Sequence, residues 1–191
     1  MTSDEVLSEL GRCGALLTGH FLLASGRHSD RFLQMNVVLQ HPPLSERLCG
    51  AMAGLWGDSE IDAVVGPAVG GIIVAYETAR ALEARALFTE REDGKMGLLR
   101  GFALRPGERV LVVDDVLTTG GSLRETAIAV REAGAEVLGV SVLVHRRAGQ
   151  RIDFGAPYRP LAEVEALSYP PAECPLCQGR VPLVDPDRRR V

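Results

Sequence analysis

One stretch decides the fold: Val110-Leu111-Val112-Val113-Asp114-Asp115-Val116-Leu117-Thr118-Thr119-Gly120-Gly121-Ser122. Its four leading apolar residues follow the turn signal Pro106-Gly107, a pattern that predicts a buried parallel strand. Two carboxylates stand at the end of that strand, and a loop of small residues follows them. Apolar residues at helical spacing, from Leu123 to Val130, then predict a helix that ends near Gly134.

The segments around this stretch repeat the same alternation of strand and helix. Short apolar runs predict strands at Ala63–Val65, Ala86–Phe88 and Val137–Val144, and the residues after Gly66–Gly71 have helical spacing. Strands that alternate with helices indicate βαβ units. The sequence therefore predicts an α/β fold, with a Rossmann-like parallel sheet flanked by helices.

The loop after the acidic pair has the chemistry of a phosphate site. Small residues let backbone amides close around an anion, and the start of the following helix adds partial positive charge. The hydroxyls of Thr118, Thr119 and Ser122 supply further donors. Two adjacent carboxylates, Asp114 and Asp115, can accept hydrogen bonds from neighbouring ribose hydroxyls or hold hydrated Mg²⁺. Together these groups predict a site for a sugar phosphate.

This stretch resembles the motif with which type I phosphoribosyltransferases bind phosphoribosyl pyrophosphate (PRPP). The resemblance implies that the loop grips the 5′-phosphate while the two aspartates contact the ribose 2′- and 3′-hydroxyls. The implied PRPP contacts in this motif are Asp114, Asp115, Val116, Leu117, Thr118, Thr119, Gly120, Gly121 and Ser122. It also implies that Mg²⁺ arrives chelated by PRPP, so no protein metal site is expected for it.

Two further segments complete the expected PRPP site. The turn Gly66–Gly71 offers a second anion pocket, and the resemblance places Val69 and Gly70 at the pyrophosphate. The charged segment Arg91–Gly101 is interpreted as a long mobile loop. In the orotate branch of the family such a loop is a catalytic lid, which implies that Lys95 and Arg91 close over the leaving pyrophosphate. Composition alone allows a solvated surface loop as well.

The acceptor base is indicated by residues at both ends of the chain. The segment Phe21–Ser29 resembles the signature F-x-L-x-S-G-x-x-S of the orotate branch. That resemblance places Ser25 and Phe32 at the base, with Thr118 nearby. Arg146 follows the last predicted strand, and an arginine fork is the natural partner of the orotate carboxylate. A surface arginine at a strand end is the alternative for Arg146.

The domain plan follows from these assignments. Residues 1–170 are expected to form one phosphoribosyltransferase domain, with a small N-terminal hood formed mainly by about residues 1–40. Thr2 and Glu5 form a capping-box pattern that opens a first helix, and Leu44 to Leu55 has the spacing of another. Residues 171–191 are expected to be a C-terminal tail.

That tail contains the pair Cys174 and Cys177, whose C-x-x-C spacing is typical of zinc sites. One pair supplies only two of four ligands. A metal site would need Cys13, Cys49, a histidine, or the same pair from a second subunit. From sequence we favour a structural or incidental tail without a metal.

Composition narrows the function further. The net charge of -4 disfavours nucleic acid as a partner, and there is no apolar run long enough to span a membrane. The N-terminal residues lack a secretory pattern, so a cytoplasmic location is expected. The resemblance implies a homodimer that converts PRPP and orotate to orotidine 5′-monophosphate and pyrophosphate. A purine acceptor and a PRPP-sensing regulator without turnover stay open as alternatives.

Overall fold

The structure is a computed structural model that describes residues 1–23, 25–147 and 152–186. Its helices and strands run along the chain in this order: α1 (Ser3–Arg12), β1 (Leu16–Leu22), β2 (His28–Leu33), α2 (Asn36–Leu39), α3 (Pro42–Gly54), β3 (Ala63–Pro67), α4 (Gly70–Ala81), β4 (Arg85–Glu92), β5 (Lys95–Gly97), β6 (Arg109–Leu117), α5 (Gly121–Glu132), β7 (Glu136–Arg147), β8 (Tyr158–Glu165), β9 (Ser168–Tyr169), a 3-10 turn (Pro171–Glu173) and α6 (Pro175–Gln178).

The larger sheet has six strands in the order β5-β4-β3-β6-β7-β8. Every neighbouring pair is parallel except β4 and β5, which are antiparallel. This confirms the predicted α/β class and its mostly parallel sheet. Strands β3 and β6 lie side by side in the centre, so the loops that follow them meet at one edge of the sheet.

Both faces of the sheet are covered, which explains the unbroken apolar run in β6. Leu111 and Val113 pack with α3 and α4 on one face. Val110 and Val112 pack with α5 on the other face, because successive side chains of a strand point in opposite directions. All four residues are fully buried. A parallel strand that is buried on both faces has no solvent-exposed side. Its sequence therefore lacks the alternation of polar and apolar residues that is typical of a half-exposed strand.

The N-terminal hood is a small three-stranded sheet in the order β1-β2-β9. Helix α1 precedes it, and the predicted capping box is confirmed. The Thr2 hydroxyl accepts from the Glu5 amide, and the Glu5 carboxylate accepts from the Thr2 amide. The third strand, β9, comes from the C-terminal part of the chain and pairs with β2 through His28 and Tyr169. The hood therefore combines both ends of the described chain.

The C-terminal segment predicted as a tail packs against the hood as far as it is described. Val184 donates to the His20 carbonyl and accepts from the Leu22 amide. Residues 187–191, which include the three arginines at the end of this segment, lie outside the described residues. Within the described residues, no helix combines the length and apolar character needed to span a bilayer.

The prediction of one long loop from Arg91 to Gly101 was wrong. Strand β4 continues to Glu92 and pairs with β5 in a hairpin that extends the sheet. The turn residues Asp93 and Gly94 both have positive φ, at 49° and 81°. An Asp-Gly pair favours such a two-residue hairpin turn, and the charge of the flanking residues obscured that signal.

Candidate active site

Two loops converge at the carboxyl ends of β3 and β6, and each passes directly into a helix. The loop after β6 leads into α5 through Gly120, whose φ of 78° is left-handed. The loop after β3 leads into α4. Helix N-termini carry unpaired amides and partial positive charge, so each loop presents an anion-binding end. The two loops that were expected from the sequence to bind anions therefore adjoin each other.

The loop after β6 encloses a cavity of about 200 Å³, which we call the cradle. It is lined by Arg91, Asp114, Val116, Leu117, Thr118, Thr119, Gly120, Gly121, Ser122, Leu123 and Glu125. Thr118, Thr119 and Ser122 are exposed. Arg91 reaches the rim from β4, where its Nη2 lies 2.5 Å from Oε2 of Glu125. The cradle thus brings together hydroxyls, a helix terminus and one arginine.

The acidic pair stands where the two loops meet. An Asp114 oxygen accepts from the Asp115 amide at 2.9 Å, and an Asp115 oxygen accepts from the Val116 amide at 2.6 Å. Burial, followed by the charge of Asp115, raises the pKa of Asp114 to about 8. Burial also raises the pKa of Asp115. Two partly desolvated carboxylates in contact are poised to accept hydrogen bonds from hydroxyl groups or to approach a cation.

The loop after β3 is packed so closely that its glycines cannot be replaced freely. A Cβ on Gly66 would lie 2.7 Å from the carbonyl carbon of Gly71, and one on Gly70 would lie 2.8 Å from Cγ of Asp115. The peptide between Ala68 and Val69 is cis. Val69 projects outward with 80% of its surface exposed. Glycine at these positions lets the loop backbone approach the acidic pair directly.

A second cavity of about 330 Å³ lies beside the cradle, and we call it the base pocket. All four residues predicted to contact the base line it. The complete lining is Leu23, Ser25, Phe32, Leu33, Val116, Thr118, Thr119 and Arg146. The two threonines also line the cradle, so the cavities share a wall. This arrangement can hold a flat ring next to a sugar phosphate.

Arg146 is the cation of the base pocket. Its Nη2 donates to the Ser29 hydroxyl at 2.6 Å, while its buried Nε has no hydrogen-bond partner among the described residues. Burial lowers the pKa of Arg146, and the nearby charge of Asp30 acts in the opposite direction. A partly buried guanidinium favours an anionic partner, because such a partner offsets the loss of hydration.

The comparisons with known proteins agree with this geometry. The Phosphoribosyl transferase domain family matches residues 36–159. An orotate phosphoribosyltransferase of Pelotomaculum thermopropionicum (strain DSM 13744 / JCM 10971 / SI) is 51% identical over 191 residues, 100% of both chains. This chain belongs to the orotate phosphoribosyltransferase family.

Solved structures place the orotate phosphoribosyltransferase family within a wider fold group. A Mycobacterium tuberculosis H37Rv orotate phosphoribosyltransferase in complex with inorganic phosphate has a TM-score of 0.67 at 26% identity, covering 84% of this chain and 95% of that one. An adenine phosphoribosyltransferase of Rhodothermus marinus DSM 4252 has a TM-score of 0.66 at 24% identity, covering 84% and 99%. The second likeness concerns the fold alone, so the fold does not select the base.

One residue expected at the site of an orotate phosphoribosyltransferase lies apart from it. Lys95 stands on β5, and its Nζ is 2.8 Å from Oε2 of Glu132 near the far end of α5. Its side chain is 72% exposed and lines neither the cradle nor the base pocket among the described residues. Within this single chain, the hairpin directs Arg91 toward the cradle and Lys95 away from it.

Sequence reasoning missed the contact of Ser29 with Arg146, which lines the base pocket of this orotate phosphoribosyltransferase family member. Through its hydroxyl, Ser29 donates to the Leu167 carbonyl at 2.7 Å and accepts from Arg146. It is fully buried, and it links the hood to the end of β7. The sequence indicated the importance of Ser29 through its position in the signature Phe21–Ser29. Leu167 and Arg146 are more than a hundred residues away from Ser29, so no local pattern could identify them as its partners.

Proposed function

We propose that this chain transfers the 5-phosphoribosyl group of PRPP to orotate, giving orotidine 5′-monophosphate and pyrophosphate in pyrimidine (UMP) biosynthesis. The observation that carries the proposal is Arg146, which lines a pocket that shares Thr118 and Thr119 with the cradle. Its buried Nε has no hydrogen-bond partner among the described residues. Orotate is a flat ring with a carboxylate and fits this combination. The full-length identity of 51% to an orotate phosphoribosyltransferase supports the same reaction.

The PRPP roles follow from the two anion sites. The amides and hydroxyls from Thr118 to Ser122 hold the 5′-phosphate, and Asp114 and Asp115 accept hydrogen bonds from the ribose hydroxyls. Val69 and Gly70 contact the pyrophosphate at the start of α4. Gly70 packs against Asp115, which supports the idea that one substrate spans both loops.

Magnesium is expected to enter as part of the substrate, chelated by PRPP. The donor set fits this view, because the half-buried acidic pair offers oxygen atoms, which Mg²⁺ prefers, but two side chains do not make a complete octahedral cage. When bound, the cation neutralises charge on the leaving pyrophosphate. The protein's own part is to hold the anomeric carbon between the base pocket and the loop after β3.

Catalysis is mainly positioning and charge neutralisation. The bond from the anomeric carbon to pyrophosphate breaks early and leaves an oxocarbenium-like sugar, with inversion when the base nitrogen attacks. The shared threonine wall brings the base close to the ribose, which reduces the entropic part of the barrier. Arg91 at the cradle rim supplies positive charge beside the 5′-phosphate, and Lys95 from the β4–β5 hairpin of a second subunit supplies positive charge toward the leaving group.

A homodimer would explain the position of Lys95. Because this residue points away from the cradle of its own chain, we expect it to serve the site of a second subunit. An exposed apolar row at the start of α4 supports a subunit contact close to the site, since Val69 just before the helix and Ile73 and Tyr76 within it are all exposed. Light scattering coupled to size-exclusion chromatography should give twice the chain mass.

The compartment is expected to be the cytoplasm. PRPP and orotate are charged metabolites that do not cross a bilayer unaided, so an enzyme that uses both is best placed where they are made. The four cysteines are free thiols in the structure, which agrees with a reducing environment.

The test combines binding and turnover on the purified full-length chain. Calorimetry should show binding of Mg-PRPP, and orotate consumption should then follow with stoichiometric release of pyrophosphate. A panel of orotate, adenine, hypoxanthine and xanthine provides the specificity control. Turnover with a purine and none with orotate would reject the base assignment. Binding of PRPP without turnover on any base would favour a regulator.

A further inference from the structure

Four potential metal ligands meet where the C-terminal segment crosses the hood. They are His20 on β1, His28 on β2, Cys174 just before α6, and Cys177 within α6, with their ligand atoms all within 4.8 Å of one another. Nε2 of His20 is 3.0 Å from Nδ1 of His28 and 3.5 Å from Sγ of Cys174. Sγ of Cys177 is 3.3 Å from Nδ1 of His28 and 3.7 Å from Nε2 of His20.

The one nitrogen–nitrogen and three nitrogen–sulfur distances are close to those of a tetrahedral zinc site. With Zn–N bonds of about 2.0–2.1 Å and Zn–S bonds of about 2.3 Å, tetrahedral angles place two nitrogens about 3.3 Å apart. The same angles place a nitrogen and a sulfur about 3.6 Å apart. We propose that His20, His28, Cys174 and Cys177 bind one zinc ion in a closed Cys₂His₂ site. Four protein ligands leave no open position, so the site is structural and not catalytic.

A contact outside the ligand set supports the assignment. The Nδ1 of His20 lies 2.8 Å from the Val181 carbonyl, to which it can only donate. That bond fixes the tautomer of neutral His20 and directs the lone pair of Nε2 at the two sulfurs. Metal-binding histidines usually hold their second ring nitrogen in this way. His20, His28 and Cys174 are buried, while Cys177 is exposed and gives the ion a path of entry.

The choice of zinc follows from the donors. Two thiolates and two imidazoles suit Zn²⁺ better than the oxygen-seeking Mg²⁺ or Ca²⁺. All four ligands lie outside residues 36–159, the part matched by the general phosphoribosyltransferase domain. The sequence supplied only the C-x-x-C half of the site and favoured a tail without metal. The structure adds two histidines from the hood, so a zinc-binding segment is now favoured over a tail without a metal.

The site adjoins the base pocket, so metal and substrate should be coupled. His28 precedes Ser29, whose hydroxyl accepts from Arg146 and donates to the Leu167 carbonyl. The cradle lies on β6 and α5, and no hydrogen bond between described residues joins it directly to the four ligands. This part of the inference rests on the proposed function, and it predicts that zinc loss raises the KM for orotate about 5-fold or more while the KM for PRPP changes less than about 2-fold.

The first experiment measures metal content and does not depend on activity. The full-length chain is purified in reductant without a metal-binding tag, and elemental analysis should give close to one zinc per chain. The double variant Cys174→Ser/Cys177→Ser should contain none, and Cys13→Ser, a half-buried cysteine outside the cluster, should keep its zinc. Less than about 0.1 zinc per chain after zinc supplementation would overturn the site, as would zinc retained by the double variant.

Two further measurements on the wild-type chain remain informative even if the double variant does not fold. Co²⁺ exchanged into the chelated protein should give the absorption of a tetrahedral ion bound to thiolates, and a spectrum without thiolate charge transfer would refute the ligand set. Chelation should lower Tm by about 5 °C or more. If zinc is bound but its removal leaves both KM values unchanged, the coupling is refuted. Absence of turnover in the zinc-loaded chain would instead count against the proposed function.

Discussion

Replacing Arg146 by lysine tests the assignment of the base pocket most directly. Arg146 donates from Nη2 to Ser29, and its Nε has no hydrogen-bond partner among the residues that the structure describes. Lysine preserves the charge but presents a single ammonium group, which cannot keep the bond to Ser29 and also offer a planar pair of donors to a carboxylate. The substitution therefore removes the planar pair of donors but retains the positive charge.

The expected size of the effect follows from the bonds lost. A hydrogen bond to a charged group contributes about 1.5–3 kcal/mol, and at least one is forfeited. Since about 1.4 kcal/mol corresponds to a factor of ten, kcat/KM for orotate should fall about 10- to 150-fold. The KM for PRPP should change less than about 3-fold, because the cradle is formed by a separate loop.

Initial rates with each substrate varied in turn provide the assay, and Arg147→Lys provides the matched control. Arg147 is the next residue along β7, but it is exposed and pairs with Glu163 at 3.2 Å. Its variant should keep near-normal values for both substrates. Equal losses for orotate and PRPP in Arg146→Lys, or the same loss in both arginine variants, would refute the role given to Arg146.

Three other substitutions probe separate parts of the structure. Lys95→Ala should lower kcat about 100-fold or more with PRPP affinity within about 3-fold, as measured by turnover and calorimetry; weaker binding with unchanged kcat would contradict its lid role. Gly139→Ala should lower Tm, because the added Cβ would lie 2.9 Å from Cζ2 of the buried Trp56 ring. Gly50→Ala is the control: a Cβ there meets nothing within 4 Å, so its Tm should equal or exceed that of the wild type. Folding raises the pKa of Asp114 from 3.8 to about 8, so the folded chain holds this proton more tightly than the unfolded chain. The resulting contribution to the free energy of unfolding is fully present below about pH 4 and is lost as pH rises through about 8. Asp114→Asn should therefore reduce the fall in Tm between pH 5 and pH 8, and parallel curves for both proteins would argue against the shift.

The sheet and the cradle were predictable because their signals are local. A single stretch carries the strand, the acids, the phosphate loop and the helix start, and only one physical arrangement accommodates all four. Four of the eight residues that line the base pocket, Ser25, Phe32, Thr118 and Arg146, were also named from the sequence. The helices that cover both faces of the sheet then determine how the segments of the base pocket come together.

The remaining features depend on partners that are distant in the chain. The hairpin at Asp93 and Gly94 was hidden because its strands are charged, and neither shows clear alternation. The link from Ser29 to Arg146 spans 117 residues. His20 has no signal of its own, since a single histidine in a strand is compatible with many environments. Only the folded chain brings it to Cys174.

The hood has an implication for how the molecule is made. Its third strand, β9, pairs Tyr169 with His28, and Ser29 relies on the carbonyl of Leu167. During synthesis β1 and β2 leave the ribosome long before those residues are made. Until then the nascent hairpin has one unpaired edge, and Ser29 lacks the Leu167 carbonyl as an acceptor. The central sheet can fold first, and the wall of the base pocket is completed last. A ribosome-stalled chain ending before Leu167 should therefore bind the sugar substrate before it can recognise the base.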